Sequence, residues 1–289
     1  MFTSQDVMKL RQMTGVGMMD CKKALEATDG NFDEAIKFLR EKGMATAAKK
    51  AGRIASEGLV LSYKNNGVCT LVEVNCETDF VARGDQFKNF VTGVAEYVAN
   101  NNINTIEELV AAKTADVNEA IAKIGEKIAI RRFVKYVENN STVDSYIHMG
   151  GKIGVVVEAS KNIPAEVIHD VALQIAAAKP SYVSKDEVPQ DEIAKEKEIL
   201  KAQALNEPNP KPVNIIEKMV EGRINKYYKD VCLLEQPFVK NGDMSIAQYL
   251  KASNASIIRF TRFEMGEGLE KKQDDMASEV QAQLDKLKK

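Results

Sequence analysis

Apolar residues in the first forty positions recur every three or four places, the spacing of amphipathic helices. Val7, Leu10 and Met13 share one face of a segment that Ser4 can cap. The turn Thr14-Gly15-Val16-Gly17 separates it from a second segment, Met18 to Ala27, with Cys21, Ala24 and Leu25 on its inner face. After Asp29-Gly30, Asn31 and Glu34 form a capping-box variant for a third segment carrying Phe32, Ala35, Ile36 and Leu39, and Gly43 stands where a C-cap glycine belongs. The pattern predicts a small three-helix unit over residues 4–43, followed by an Ala- and Lys-rich linker or short helix from Met44 to Ala55. Met18 and Met19 are adaptable side chains at the start of the second helix, suited either to a partner surface or to packing on the third helix.

From Ser56 the period changes to two. Gly58 to Lys64, the turn Asn65-Asn66-Gly67 and Val68 to Val74 predict a β-hairpin. A helix over 86–99 follows, with Phe87, Phe90, Val91, Val94, Ala95 and Val98 in phase. Two short helices are expected within 104–127, then a strand from Ile128 to Val137. The set recurs. Ser145 to His148 and Ile153 to Ala159 form a second hairpin about Met149-Gly150-Gly151, a helix carries Ile168, Val171, Ala172, Ile175 and Ala176, and Ile257 to Phe263 mirrors Ile130 to Tyr136. The expected fold is α+β: two three-stranded antiparallel sheets, each covered by helices.

Two insertions distinguish the copies. Glu73 corresponds to Glu158 and Phe87 to Ile168. Their spacings, 14 and 10 positions, leave four extra residues in the first copy. Thr78 to Val81 lies inside that excess, within the polar stretch Asn75 to Arg83. A Phe80 in such a turn either folds into the core or faces outward, and the lack of an obvious counterpart in Asn162-Ile163-Pro164 favours the outward orientation. The second insertion, 185–229, reads as a protruding antiparallel helical hairpin around Asn206 to Pro212. Its first helix carries Ile193, Ile199 and Leu200, and its second Ile216, Val220, Ile224 and Tyr227. That second stripe packs either inside the hairpin or on another chain. The end of the chain, Glu264 to Lys289, has the spacing of one more charged helix through Met276, Val280 and Leu284.

The expected organisation is thus a three-helix module plus linker over 1–54, a first core part over 55–139, a second over 140–185 and 230–263, the hairpin over 186–229 and a terminal helical module over 264–289. With 289 residues, several compact units are expected rather than one core. A net charge of −2 gives no global field for nucleic acid or membrane surfaces, and no apolar run approaches the ~20 residues of a membrane span. The first residues lack the pattern of a signal peptide. Cys21, Cys69, Cys76 and Cys232 are widely spaced, which suits free thiols in a reducing cytoplasm. With only His148 and His169, neither a metal centre nor a Cys76 nucleophile with its base is expected. Gly15 to Asp20 lacks the third glycine of a phosphate loop and follows a helix, so no nucleotide cofactor is expected and enzyme chemistry is the weaker class.

Two stretches together carry a resemblance. Thr14-Gly15-Val16-Gly17-Met18-Met19-Asp20-Cys21-Lys22-Lys23-Ala24-Leu25 and Glu73-Val74-Asn75-Cys76-Glu77-Thr78-Asp79-Phe80-Val81-Ala82-Arg83 resemble the signatures of translation elongation factor Ts. The resemblance continues through Glu217 to Arg223, Gln236 to Val239 and Arg262 to Gly268, and so covers essentially the whole chain. It implies a non-enzymatic guanine nucleotide exchange factor that binds elongation factor Tu in its GDP-bound and nucleotide-free forms. It further implies a ubiquitin-associated-like (UBA-like) N-terminal module docking through Arg11, Met18 and Met19, a coiled-coil projection, and a Thr78-Asp79-Phe80-Val81 turn that intrudes near the partner's Mg²⁺ site. Gln174 stands where the family often carries His, ahead of the run to Lys179-Pro180. Gln can donate and accept a hydrogen bond but cannot become charged. The hairpin is a candidate for pairing two such complexes. A protein-binding adaptor without exchange activity is the alternative reading.

Overall fold

The computed structural model describes residues 2–206 and 211–271. It is an α+β protein built on two three-stranded antiparallel sheets. The chain opens with α1 (Ser4–Thr14), α2 (Met18–Ala27) and α3 (Phe32–Lys50). Sheet one contains β1 (Glu57–Asn65), β2 (Val68–Cys76) and, after α4 (Asp79–Arg83), α5 (Asp85–Asn100) and α6 (Ile106–Ile124), β3 (Ala129–Val137). Sheet two contains β4 (Ser141–His148), β5 (Ile153–Ser160) and, far along the chain, β8 (Ile257–Glu264). Between β5 and β8 come α7 (Ala165–Ala178), α8 (Gln190–Leu205), α9 (Val213–Val231), the short pair β6 (Pro237–Phe238) and β7 (Asn241–Ser245), and α10 (Ile246–Ala252). Strand orders are β1-β2-β3 and β4-β5-β8.

The two sheets agree in detail. Glu73 faces Arg132 across β2 and β3, and the register slips by one residue immediately after it; Glu158 faces Arg259 across β5 and β8, with the slip at the same place. A bulge re-aims the residues beside it. Alternation along the strands sends Val72 and Val74 toward α5 and α6, Val155 and Val157 toward α7, and Val60, Leu71, Val143, Val156 and Phe263 into a core between the sheets. Both central strands are therefore buried on two faces, and both read as nearly continuous apolar runs.

The sheets meet closely and almost reciprocally. The Arg132 guanidinium lies 4.2 Å from the Phe263 ring centre of the other sheet, and Arg259 lies 4.1 Å from Tyr136. A Cβ on Gly154 would come within 2.5 Å of Val60 Cγ1 and 2.7 Å of Leu71 Cδ1, so only glycine permits this approach. Glu73 is fully buried at the edge of the contact. Its carboxylate accepts from Arg131 Nη1 at 2.9 Å, Arg132 Nε at 2.6 Å and the Gly266 amide at 2.8 Å. Arg131 also donates to the Glu267 carbonyl, and Arg132 to the Glu264 carbonyl at 3.0 Å. The segment after β8 is thereby tied to the first sheet.

Several expectations change. Thr3, not Ser4, caps α1, with Asp6 completing a capping box. Met13 is 58% exposed, and Val16 from the following turn is buried in the helical core instead. Gly43 does not end α3. The helix runs to Lys50 because Ala and Lys continue it favourably, and the missing side chain lets α6 pack close, with Ala122 Cβ 3.4 Å from where a Gly43 Cβ would stand. Residues 106–124 form one helix rather than two, bounded by the Thr105–Glu108 capping box and a left-handed Gly125. Ile199 is 51% exposed, whereas Ile216, Val220 and Ile224 are buried with Ala204 between α8 and α9, so their stripe is consumed inside the hairpin. Residues 264–271 are strand end and turns, not helix; Met276, Val280 and Leu284, like 207–210 of the hairpin connection, lie outside the described residues.

Glu73→Ala would leave two guanidinium groups and an amide without their buried acceptor. It is expected to lower unfolding free energy by about 3–5 kcal/mol. Glu158→Ala should cost less, because its partner Arg259 is half exposed. Urea midpoints of the two variants check the order.

Candidate functional site

The connection leaving β2 is longer than its counterpart leaving β5. Residues 77–84 join β2 to α5, eight residues, where residues 161–164, four residues, join β5 to α7. The extra length is not an open turn. It forms α4, a single helical turn whose N-cap is Thr78, with the Thr78 hydroxyl accepting from the Val81 amide at 3.3 Å. Val81 packs against the core of the first sheet and Ala82 is buried. With these two side chains directed inward, the helical turn directs Phe80 outward, where it is 83% exposed. Asp79 forms an ion pair with Arg83 at 2.9 Å, one helical turn on, and both are substantially exposed. Of the four residues, Asp79 and Phe80 face solvent, while Thr78 and Val81 hold the turn.

The turn is braced from below. Glu126, in the loop after α6, accepts from the Glu77 and Thr78 amides at 3.0 Å each and from the Thr78 hydroxyl at 2.6 Å. Glu77 in turn accepts from the Lys127 amide at 2.6 Å and pairs with Arg53 at 3.2 Å. Sequence reasoning passed over Glu126. Its distance of 48 positions from Thr78 left no periodic signal.

Arg11, Met18 and Met19 flank the Gly15 turn between α1 and α2, and all three are exposed. Gly15 adopts φ +68 and its amide closes α1 on the Arg11 carbonyl at 2.7 Å. Gln174 lies elsewhere, fully buried in α7. Its amide donates to the Gln236 side chain at 3.1 Å and the Pro237 carbonyl at 3.2 Å, and its oxygen accepts from the Val239 amide at 2.8 Å. Gln174 thus holds the Gln236-Pro237-Phe238-Val239 loop from within and offers no surface of its own.

Cys76 is buried, and its thiol donates to the Thr78 carbonyl at 3.2 Å. Burial pushes its pKa up to about 12, and the Glu126 charge adds to the rise. His148 bonds Tyr146 and His169 bonds Asp144. Among the described residues there is no group of three or more Cys, His, Asp or Glu able to hold a metal, and no helix long and apolar enough to cross a membrane.

Phe80→Ala removes a solvated side chain and is expected to change folding stability by less than about 0.5 kcal/mol, measured by urea unfolding. The four cysteines, all buried, should react with a disulfide reagent such as DTNB only as the chain unfolds; time courses in buffer and in denaturant check this.

A family model described as "Elongation factor TS" matches residues 77–267. An elongation factor Ts of Clostridium perfringens (strain ATCC 13124) is 50% identical over 299 residues, covering 97% of this chain and 98% of its own. One of Clostridium botulinum (strain Eklund 17B) is 50% identical over 307 residues, covering 99% and 100%. The family model spans the braced turn, the second sheet and the segment tied to Glu73, and the relatives cover nearly the whole chain, the first sheet included, so the chain belongs to the elongation factor Ts family.

Proposed function

We propose that this chain is a guanine nucleotide exchange factor for elongation factor Tu, acting in translation elongation in the cytoplasm. A GTPase retains GDP because a phosphate loop and Mg²⁺ neutralise the diphosphate. A factor accelerates release only by binding the nucleotide-free form better than the GDP form, and the coupling is reciprocal. The observation that carries the reading is Phe80: a large apolar side chain, 83% exposed, on a turn whose neighbours are anchored in the core. An isolated exposed aromatic on a fixed support fits an apolar gap in a partner.

In this reading Phe80 enters such a gap between partner helices near the Mg²⁺ site. Its burial contributes ~1.5–3 kcal/mol. Asp79 exchanges its Arg83 pairing for donors on the partner, or disturbs the groups that hold Mg²⁺. Neither need touch the nucleotide. The three N-terminal helices serve as a UBA-like docking unit through Arg11, Met18 and Met19. The Val239 loop held by Gln174 supplies a second contact. The α8–α9 hairpin forms the coiled-coil projection. Because its apolar stripe is already buried within it, any pairing of two complexes there uses its outer residues, Ile199 among them.

The experiment is release of fluorescent GDP from elongation factor Tu, followed by stopped flow. Wild type is expected to accelerate release, and Phe80→Ala to lose roughly tenfold or more of that acceleration while still binding. An adaptor would bind without accelerating release. Equal rates for the two chains would exclude Phe80 as the wedge.

A further inference from the structure

We propose that Glu126 is the positioning residue of the exchange turn: its carboxylate fixes Thr78, and through Thr78 the direction in which α4 presents Phe80. The kinetic part of this rests on the exchange reading; the positioning itself does not.

The polar groups of Thr78 form one chain of hydrogen bonds. Its amide and hydroxyl both donate to Glu126, at 3.0 and 2.6 Å. The same hydroxyl accepts from the Val81 amide at 3.3 Å. Its carbonyl accepts from the Ala82 amide at 3.2 Å and from the Cys76 thiol at 3.2 Å. A threonine hydroxyl has one proton. Donating it to Glu126 aims the oxygen lone pairs at the start of α4, so the carboxylate sets the orientation of the cap. A single helical turn has too few internal bonds to persist alone. Its geometry must come from outside, and the Glu126 carboxylate takes three donors from its base.

Glu126 is itself fixed. Gly125 before it adopts φ +84 and ends α6, with its carbonyl accepting from Lys50 Nζ at 2.5 Å. Lys127 after it donates its amide to Glu77 at 2.6 Å and its Nζ to the Arg53 carbonyl at 2.8 Å. The clamp therefore joins the end of α3, the loop after α6 and the turn. Glu126 reaches neither Phe80 nor Asp79, and acts only through Thr78 and Glu77.

The test uses the whole chain as wild type, Glu126→Gln, Phe80→Ala and the double variant, with Thr78→Val as a reference that removes the cap hydroxyl itself, the group that donates to Glu126 and accepts from Val81. Glu126→Gln keeps the volume but replaces one acceptor oxygen with a donor. Amide hydrogen exchange at Val81 and Ala82, which do not touch Glu126, is expected to quicken about tenfold in Glu126→Gln and Thr78→Val. In stopped flow, Glu126→Gln should lower the maximal GDP-release rate about tenfold while the half-saturating concentration stays within about twofold, because docking is separate. On the Phe80→Ala background the same change should have little further effect. Unchanged protection of Val81 and Ala82 overturns the proposal. So does an equal loss of rate on both backgrounds. If Phe80→Ala releases GDP as fast as wild type, the exchange reading of the turn fails instead, and the protection measurement alone decides the role of Glu126.

Discussion

Glu73 is a fully buried carboxylate, and the arrangement of the two sheets depends on what satisfies it. Two arginines from β3 and the amide of Gly266 converge on it. The arginines come from its own sheet; the amide comes from the segment following the last strand of the other. A buried charge tolerates no missing partner, so Glu73 is fully satisfied only when the segment after β8 has returned to the first sheet. The requirement extends to Gly266 itself. A Cβ there would meet the Ser56 carbonyl at 2.4 Å, and its φ is +73. Lys179 extends the tie, pairing with Glu264 and Glu267: Arg262 and then Lys179 hold the Glu264 carboxyl below its ordinary pKa, and Lys179 with Arg132 does the same for Glu267.

The second copy of the same device is looser. Glu158 accepts from Arg259 at 2.6 Å and from the Ser141 hydroxyl at 2.6 Å, with no returning segment over it. Each arginine of the pair stacks on an aromatic of the opposite sheet, so the interface has the self-complementary character of two copies meeting face to face. The asymmetry lies at the ends of the central strands. Past Glu73 the chain carries the four additional residues and α4; past Glu158 it enters α7 after a short turn. The tightly held copy thus bears the protruding turn. That turn is held by the Glu126 carboxylate as well as by its buried neighbours, so it has little order left to lose.

The hairpins, the repeated strand–helix–strand pattern and the correspondence of Glu73 with Glu158 were legible because they rest on short-range periods and on Asn-Gly and Gly-Gly turns; the Glu–Arg register across the strands was not. Asn66 and Gly67 take the positive φ values that such a turn demands. The outward Phe80 was legible through a count of inserted residues. What escaped were features fixed by distant contacts. Gly43 has the local look of a helix end, yet its lack of a side chain serves the approach of α6. The 106–124 segment has no internal breaker, so reading two helices there added a boundary that the caps at Thr105 and Gly125 do not support. Glu126 reads as one more loop carboxylate until the fold brings it beneath Thr78.

Gln174 shows how an apparent departure from a family pattern changes meaning once its surroundings are known. A residue that lacks a titratable group cannot supply a charge to a partner, and at the surface that would remove a contact. Gln174 is instead enclosed, with its oxygen on the Val239 amide and its nitrogen shared between Gln236 and the Pro237 carbonyl. The site asks for one acceptor and one donor on the same side chain. A neutral imidazole offers that combination, whereas a protonated one offers two donors and would abandon the Val239 amide. Charge would therefore work against the loop this position holds. Glutamine meets the requirement at every pH, so the Gln236–Val239 loop keeps its shape without a proton to gain or lose.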